Sequence, residues 1–353
     1  MNEIFLQLVR LGIGHQGSIS SNIINWNEVK TLAIRQGLSA IILDGIEKLP
    51  ESKQPSKVIL LQWIGSIFQS YERRYDLYKR AITEMAGFYN SHGYKMMILK
   101  GYACSLDWPK SEHRPCGDID IWLFGKQKEA DLLLAKEKSI TIDSSHHHHT
   151  MFEWQGFTVE NHYDFINVHH HPSHRGLEAI FKELGKDDSH YVEVGGERVY
   201  MPSPNLHALF LLRHALNHFA SIGINLRQIL DWAFFVEKHT KKIDWEWLEA
   251  VIDKYHMRDF YNCINAICVE DLGFGADIFP LVQFLPDLKN KVLNDVLNPE
   301  FTIDKPRGFY HKWIHKYCRW KGNRWKQKMC YKESIWNAFW NGMMVHLAKP
   351  KSI

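Results

Sequence analysis

Apolar residues recur every three or four positions over residues 1–93, shift to every second position from 94 to about 203, and return to a helical period from 204 onward. In the first region, 25–28 opens a helix with Val29, Leu32, Ala33 and Ile34 on one stripe and Gly37 as its stop. A second helix is expected over 39–48, ended by Pro50. A long one follows over 57–91, with Ile64, Ile67, Phe68, Tyr71, Tyr75, Tyr78, Ile82, Met85 and Phe88 as its packing stripe. In the middle region, strands are expected at 95–99, 116–124 and 156–165, with a helix over 126–138. A hairpin is expected from 191–194 and 198–201 through Gly195 and Gly196, and Pro202 and Pro204 close the sheet. Helices follow over 205–220, 226–235, 245–255 and 260–269, before a break at Gly273-Phe274-Gly275. The pattern predicts an α+β fold: a small mixed sheet over 94–203 between helical regions 1–93 and 204–353.

The 116–124 strand carries two carboxylates, Asp118 and Asp120, which alternation places on one face while Ile119, Ile121 and Leu123 take the other. Two carboxylates about 4 Å apart repel by on the order of 4 kcal/mol at an effective dielectric near 20, so the pair calls for a divalent cation or a shared proton. The bland alternative is an exposed edge strand with two solvated acids. The neighbours weigh against it. Upstream, 95–99 runs through Lys100 into Gly101, where a backbone without a side chain can approach a phosphate. Downstream, Glu160, His162 and Asp164 share a face of 156–165 and supply a third acid. For His162 two readings stay open, support of a ligand or substrate and a packed core histidine. Arg114 closes a polar loop, 108–115, as a phosphate-pairing guanidinium or as a solvated loop arginine.

Leu99-Lys100-Gly101, Arg114 with Gly117-Asp118-Ile119-Asp120, and Val159-Glu160-Asn161-His162 together resemble the polymerase-β-type nucleotidyltransferase superfamily. Within it, the chain is most similar to an uncharacterised bacterial nucleotidyltransferase-like family. The resemblance extends from about Trp26 to Trp245. It implies that 94–203 is a nucleotidyltransferase-like core, with Asp118, Asp120 and Glu160 as catalytic, metal-holding acids. The implied cofactor is Mg2+ or Mn2+, and the implied nucleotide contacts are Lys100, Gly101, Arg114 and His162. The reaction implied is transfer of a nucleoside monophosphate from a nucleoside triphosphate to an acceptor, a small molecule or a protein. Elsewhere in the superfamily the turn glycine precedes Ser or Gly, and here Tyr102 follows Gly101. A nucleotide-binding or scaffold protein without turnover is therefore the alternative.

Composition adds less. A net charge of +3, 45% hydrophobic and 24% charged residues are ordinary globular values. Six cysteines without a C-x-x-C pair fit a reduced, cytoplasmic protein. The start has an acid, Glu3, where a secretory leader carries basic residues, and no run reaches the roughly 18 apolar residues of a membrane span. The runs His146–His149 and His169–His171, with His174, lack defined metal-ligand spacing and predict neutral surface or capping roles. Arg227 and Asp231, one helical turn apart, predict a structural ion pair. Residues 312–332 hold eight basic residues, no acid, and Trp313, Trp320 and Trp325. Packing inward is favoured there over contact with nucleic acid.

Overall fold

The computed structural model describes residues 1–19, 21, 23–169, 171, 173–280, 283, 285–300 and 309–333. Five helices precede the first strand: α1 (Asn2–Gly12), α2 (Trp26–Gln36), α3 (Ser39–Glu47), α4 (Lys57–Ile67) and α5 (Arg73–Ser91). The Asn25 side chain accepts from Glu28 N to cap α2, and Gly37, at φ 66°, ends it in the left-handed conformation that glycine adopts without strain. A π turn, Phe68–Glu72, joins α4 to α5. Its wider winding changes the helical phase, so Trp63 and Ile67 are buried before it and Tyr75, Tyr78, Ile82, Met85 and Phe88 after it. Ile64 and Phe68, expected on the packing stripe, are instead exposed. An uninterrupted α period cannot anticipate that shift.

Six strands form one mixed sheet among the described residues: β1 (Met97–Ile98), β2 (Ile119–Trp122), β3 (His149–Trp154), β4 (Phe157–His162), β5 (Tyr191–Val194) and β6 (Glu197–Tyr200). Their spatial order is β3-β4-β2-β1-β6-β5. Strands β2 and β4 are parallel, as are β1 and β6, and the other neighbouring pairs are antiparallel. The architecture is therefore α+β. Gly195 and Gly196, both at positive φ, make the two-residue turn between β5 and β6. Strand β3, which pairs along the whole of β4, has no counterpart among the expected strands, because it begins inside a histidine run that reads as polar surface. Strand β1 is shorter than expected, since the chain turns sharply at Gly101.

Alternation divides the sheet. Ile98, Ile119, Ile121, Val159 and Val199 enter a core closed by α5 and by α7 (Gln127–Lys138), which follows the short α6 (Tyr102–Ser105). The opposite face carries Met97, Leu99, Trp122 and Tyr200 into a larger core. Helices α8 (Ser173–Leu184), α9 (Pro204–Ser221) and α10 (Leu226–His239) contribute to it, joined by α11 (Trp245–Lys254), α12 (Arg258–Ala266) and α13 (Pro286–Leu297). Residues of α1, α2 and α3 share this core. Helix α14 (Phe309–Gly322) leads into α15 (Arg324–Cys330), where Lys326 pairs with Asp295 at 2.6 Å and Trp325 meets Phe219 edge-on. The side chains of Lys312, Trp313 and Lys316 lie outside the described residues, as does 334–353. Among the described residues no helix is long and apolar enough to cross a membrane.

Candidate active site

Strand pairing brings the expected acids together. Asp120 stands opposite Glu160 across the parallel β2–β4 ladder, and Trp122 opposite His162, so Asp120, Glu160 and His162 share the face turned toward α9 and α10. Asp120 is fully buried at the base of the site. Its Oδ1 takes an ion pair from Lys100 Nζ at 3.0 Å and a hydrogen bond from His162 Nε2 at 3.1 Å. Its Oδ2 is buried with no hydrogen-bond partner among the described residues. Glu160 Oε2 lies 3.5 Å from the same imidazole nitrogen. Asp118 sits one residue before β2, exposed at the rim of the pocket.

The electrostatics follow from this crowding. Burial opposes charge on Lys100, yet the carboxylates of Asp120 and Glu160 raise its pKa above the ordinary lysine value. Burial likewise opposes charge on His162, but hydrogen bonds to Asp120 and Glu160 push it up to about 9. Burial works against ionised Glu160 too, and the His162 hydrogen bond with the Lys100 charge overrides it, holding this carboxyl below the usual range. Asp118 goes the other way. Partial desolvation at the pocket rim, then the negative charges of Glu160 and Asp120, raise its pKa. Asp118 is thus the acid whose charge the site compensates least.

Gly101 has φ 65°, and a Cβ there would stand 2.4 Å from the Tyr78 hydroxyl oxygen, which donates to the Asp118 carbonyl at 2.9 Å. The glycine is required locally by this close approach, and the turn positions the backbone of the acid pair. Tyr102 is buried and stacks on Tyr75. Arg114 lies not in solvent but in the interior. Its Nε and Nη2 donate to Asp231 Oδ1 and Oδ2 at 2.7 and 2.9 Å, and Trp108 Nε1 donates to the same carboxylate at 2.9 Å. Arg227, expected as the partner of Asp231, stands 3.6 Å from it. Asp231 is thus held chiefly by a residue more than a hundred positions away. Asp164 falls beyond β4 and pairs with Lys182 on α8.

Lys100, Gly101, Arg114, Asp118 and Asp120 line a pocket of about 150 Å3, walled on the other side by His214 of α9 and by Arg227 and Gln228 of α10. His214 is not among the site residues expected from the sequence. Lys100 Nζ donates to His214 Nε2 at 2.9 Å, and His218 lies 3.2 Å from the same nitrogen. Burial, reinforced by Lys100, keeps His214 well below the usual imidazole range, so it is neutral and can accept that bond. The His214-x-x-x-His218 spacing, which sets two imidazoles on one side of a Leu-rich and Ala-rich helix, is the signal the sequence offers. The histidine run also differs from its surface expectation. His149 is buried on β3 directly opposite His162, and burial lowers its pKa to about 4. His148 is held to about 2 by burial and by His162. His171 and His174 are buried as well, while His170 lies outside the described residues.

A family model described as uncharacterised nucleotidyltransferase matches residues 22–273, more than half of the chain and all of the sheet. The chain belongs to this family. Nucleotidyl transfer is accordingly its class of reaction, and a nucleotide its class of substrate. No curated protein matches the chain. An antigenic nucleotidyltransferase-like protein from Paracoccidioides brasiliensis, known from a crystal structure, is similar at 14% identity with a TM-score of 0.34, over 51% of this chain and 88% of that one.

Proposed function

We propose that the protein transfers a nucleoside monophosphate from a nucleoside triphosphate to an acceptor hydroxyl, with Asp118, Asp120 and Glu160 holding magnesium or manganese. The observation that carries this reading is the buried Asp120 Oδ2, which has no partner while Glu160 stands beside it and Asp118 bears a raised pKa from its acidic neighbours. Hard carboxylate oxygens, one of them without a hydrogen-bond partner among the described residues, fit a hard divalent cation. When bound, the ion would neutralise phosphate charge and lower the pKa of the acceptor hydroxyl. The protein's own groups do the rest. Lys100, and Arg227, which stands 3.6 Å from Asp231, meet the phosphates from opposite walls. His162 and Lys100 fix the Asp120 carboxylate. The acceptor oxygen bonds to the α-phosphorus, the bond to the β-phosphate oxygen breaks, pyrophosphate leaves, and Glu160 takes the acceptor proton. Arg114 acts through Asp231 as a positioning residue rather than on phosphate.

The test is pyrophosphate release with each nucleoside triphosphate and Mg2+, together with calorimetry of Mg–nucleotide binding. Asp118→Asn with Asp120→Asn is expected to abolish both while the fold persists. Equal Mg–nucleotide affinity in wild type and the double variant sinks the metal assignment. A second reading, nucleotide binding without turnover, is favoured by one observation. Lys100 and His162 already stand against the Asp120 carboxylate, which leaves less charge there for a metal to meet. Tight binding with no pyrophosphate released from any nucleotide would select it.

A further inference from the structure

Beside the carboxylates, the sheet assembles a second constellation of a different chemical character. His149 on β3 faces His162 on β4 across an antiparallel pair, the closest arrangement two strands offer to side chains. His148 precedes the strand, and its carbonyl accepts from both Tyr163 N and Asp164 N, which ties the start of β3 to the end of β4. The three rings crowd together, with centroids 4.4 Å apart for His148 and His149, 5.3 Å for His149 and His162, and 5.7 Å for His148 and His162. One ring nitrogen from each lies within 4.8 Å of the other two.

These imidazoles are unusual in what they lack. His149 is 6% exposed, and neither of its ring nitrogens makes a hydrogen bond to any of the described residues. Nor does His148 Nδ1, although it too is buried. Buried polar atoms are almost always paired, so unpartnered imidazole nitrogens in a cluster of three rings point to a missing ligand. His162 is prepared differently. Its Nδ1 contacts the Asp164 carbonyl at 3.2 Å, so with the proton on Nδ1 the Nε2 lone pair is available for ligation. Backbone carbonyls hold ligating imidazoles in this way in known metal sites.

We propose that His148, His149 and His162 bind one borderline divalent transition-metal ion of the zinc class, with Glu160 or water completing its shell. Three imidazoles select zinc, cobalt, nickel or copper over magnesium, which prefers oxygen. The site is therefore distinct in chemistry from the carboxylate site proposed above, although the two share a wall at His162 and Glu160. Binding takes up the His162 Nε2 lone pair that otherwise carries the proton shared with Asp120 and Glu160. Occupancy of the imidazole site accordingly withdraws His162 from Asp120.

The experiment uses the full chain, stripped with a chelator and titrated with Co2+ and Zn2+ in magnesium-free, nucleotide-free buffer. One equivalent of Co2+ should bind with the intense visible d–d absorption of a low-coordinate nitrogen site, and Zn2+ should displace it. His149→Gln, which keeps most of the volume, and His148→Gln should each weaken Co2+ binding more than about tenfold and lose the band. Asp118→Asn should retain both. Circular dichroism and thermal melts of each variant in the apo state establish that the fold persists. The proposal is overturned if wild type takes up no stoichiometric Co2+, or if the folded His148→Gln, His149→Gln double variant gives the wild-type spectrum and affinity. Mg–nucleotide calorimetry on that double variant separates the two sites. Retained nucleotide binding with lost Co2+ binding supports the imidazole site irrespective of whether the carboxylate reading holds.

Discussion

Asp231 shows how much one buried carboxylate can organise. It accepts from both edges of the Arg114 fork and from Trp108, with Arg227 at the edge of reach. Removing one member strands a buried charge, so Arg114→Met is expected to cost about 3–5 kcal/mol in urea unfolding. The double variant with Asp231→Leu should cost less than the sum of the singles, because it removes the charge left without a partner. Additive losses would show the two residues to be uncoupled. Gly101 makes the complementary case, where the missing atoms matter. Gly101→Ala adds strain at φ 65° and a contact with Tyr78 at 2.4 Å. It should lower stability by about 1–3 kcal/mol and displace the Tyr78 hydroxyl from the Asp118 carbonyl. Melts and tyrosine-sensitive near-ultraviolet circular dichroism report the two effects. An unchanged melt would show that the turn has room to relax.

Between elements, the decisive unit is the ladder β2–β4–β3. Its register sets Asp120 beside Glu160 and His149 opposite His162, and a slip of β4 by one residue would send Glu160 and His162 to the other face. His162 has a pKa raised to about 9 by the carboxylates it touches, against an unfolded value near 6.5. The sign follows directly. A raised folded pKa means stabilisation fully present below about 6.5 and lost as pH rises through about 9. In metal-free buffer, the stability difference between wild type and His162→Gln should therefore shrink from pH 6 toward pH 9.5. A difference that is constant or grows over that window would contradict a protonated His162. On the acid side, His149, with its pKa lowered to about 4, contributes stability above about 6.5 that fades as pH falls through about 4.

The whole molecule is held by a core that passes from the N-terminal helices under the sheet to the C-terminal ones, with α15 fastened to it. Lys326 is buried against Asp295, Trp325 packs on Phe219, and Gln327 donates to the Ala220 carbonyl. Helix α15 therefore packs onto α9 and α13, whereas Ile314 and Tyr317 of α14 are exposed. Lys321 and Lys328 are exposed, and reversing both to Glu should change stability by no more than about 0.5 kcal/mol. Trp325→Ala should cost up to about 3 kcal/mol in urea melts. Salt-dependent RNA or DNA binding abolished by the charge reversal would instead assign the tail a nucleic-acid role.

The sequence by itself determined the local features: the Asn25 cap and Gly37 stop of α2, the Gly195-Gly196 hairpin, and the alternation that separates Asp120 from Ile119 and Ile121. Each depends on residues within a few positions of one another, so period and turn chemistry suffice to find it. It also held the acids, because Asp118-Ile119-Asp120 and Glu160 each sit in a strand-like pattern, and pairing two such strands brings their faces together. What only the tertiary structure decided is which distant groups meet. Arg114 found Asp231, Lys100 found Asp120 and His214, and the histidine run turned inward to form β3. No period encodes those encounters. They follow from how the helices close over the sheet, where burying a charge is tolerable only beside a partner that the chain supplies from far away.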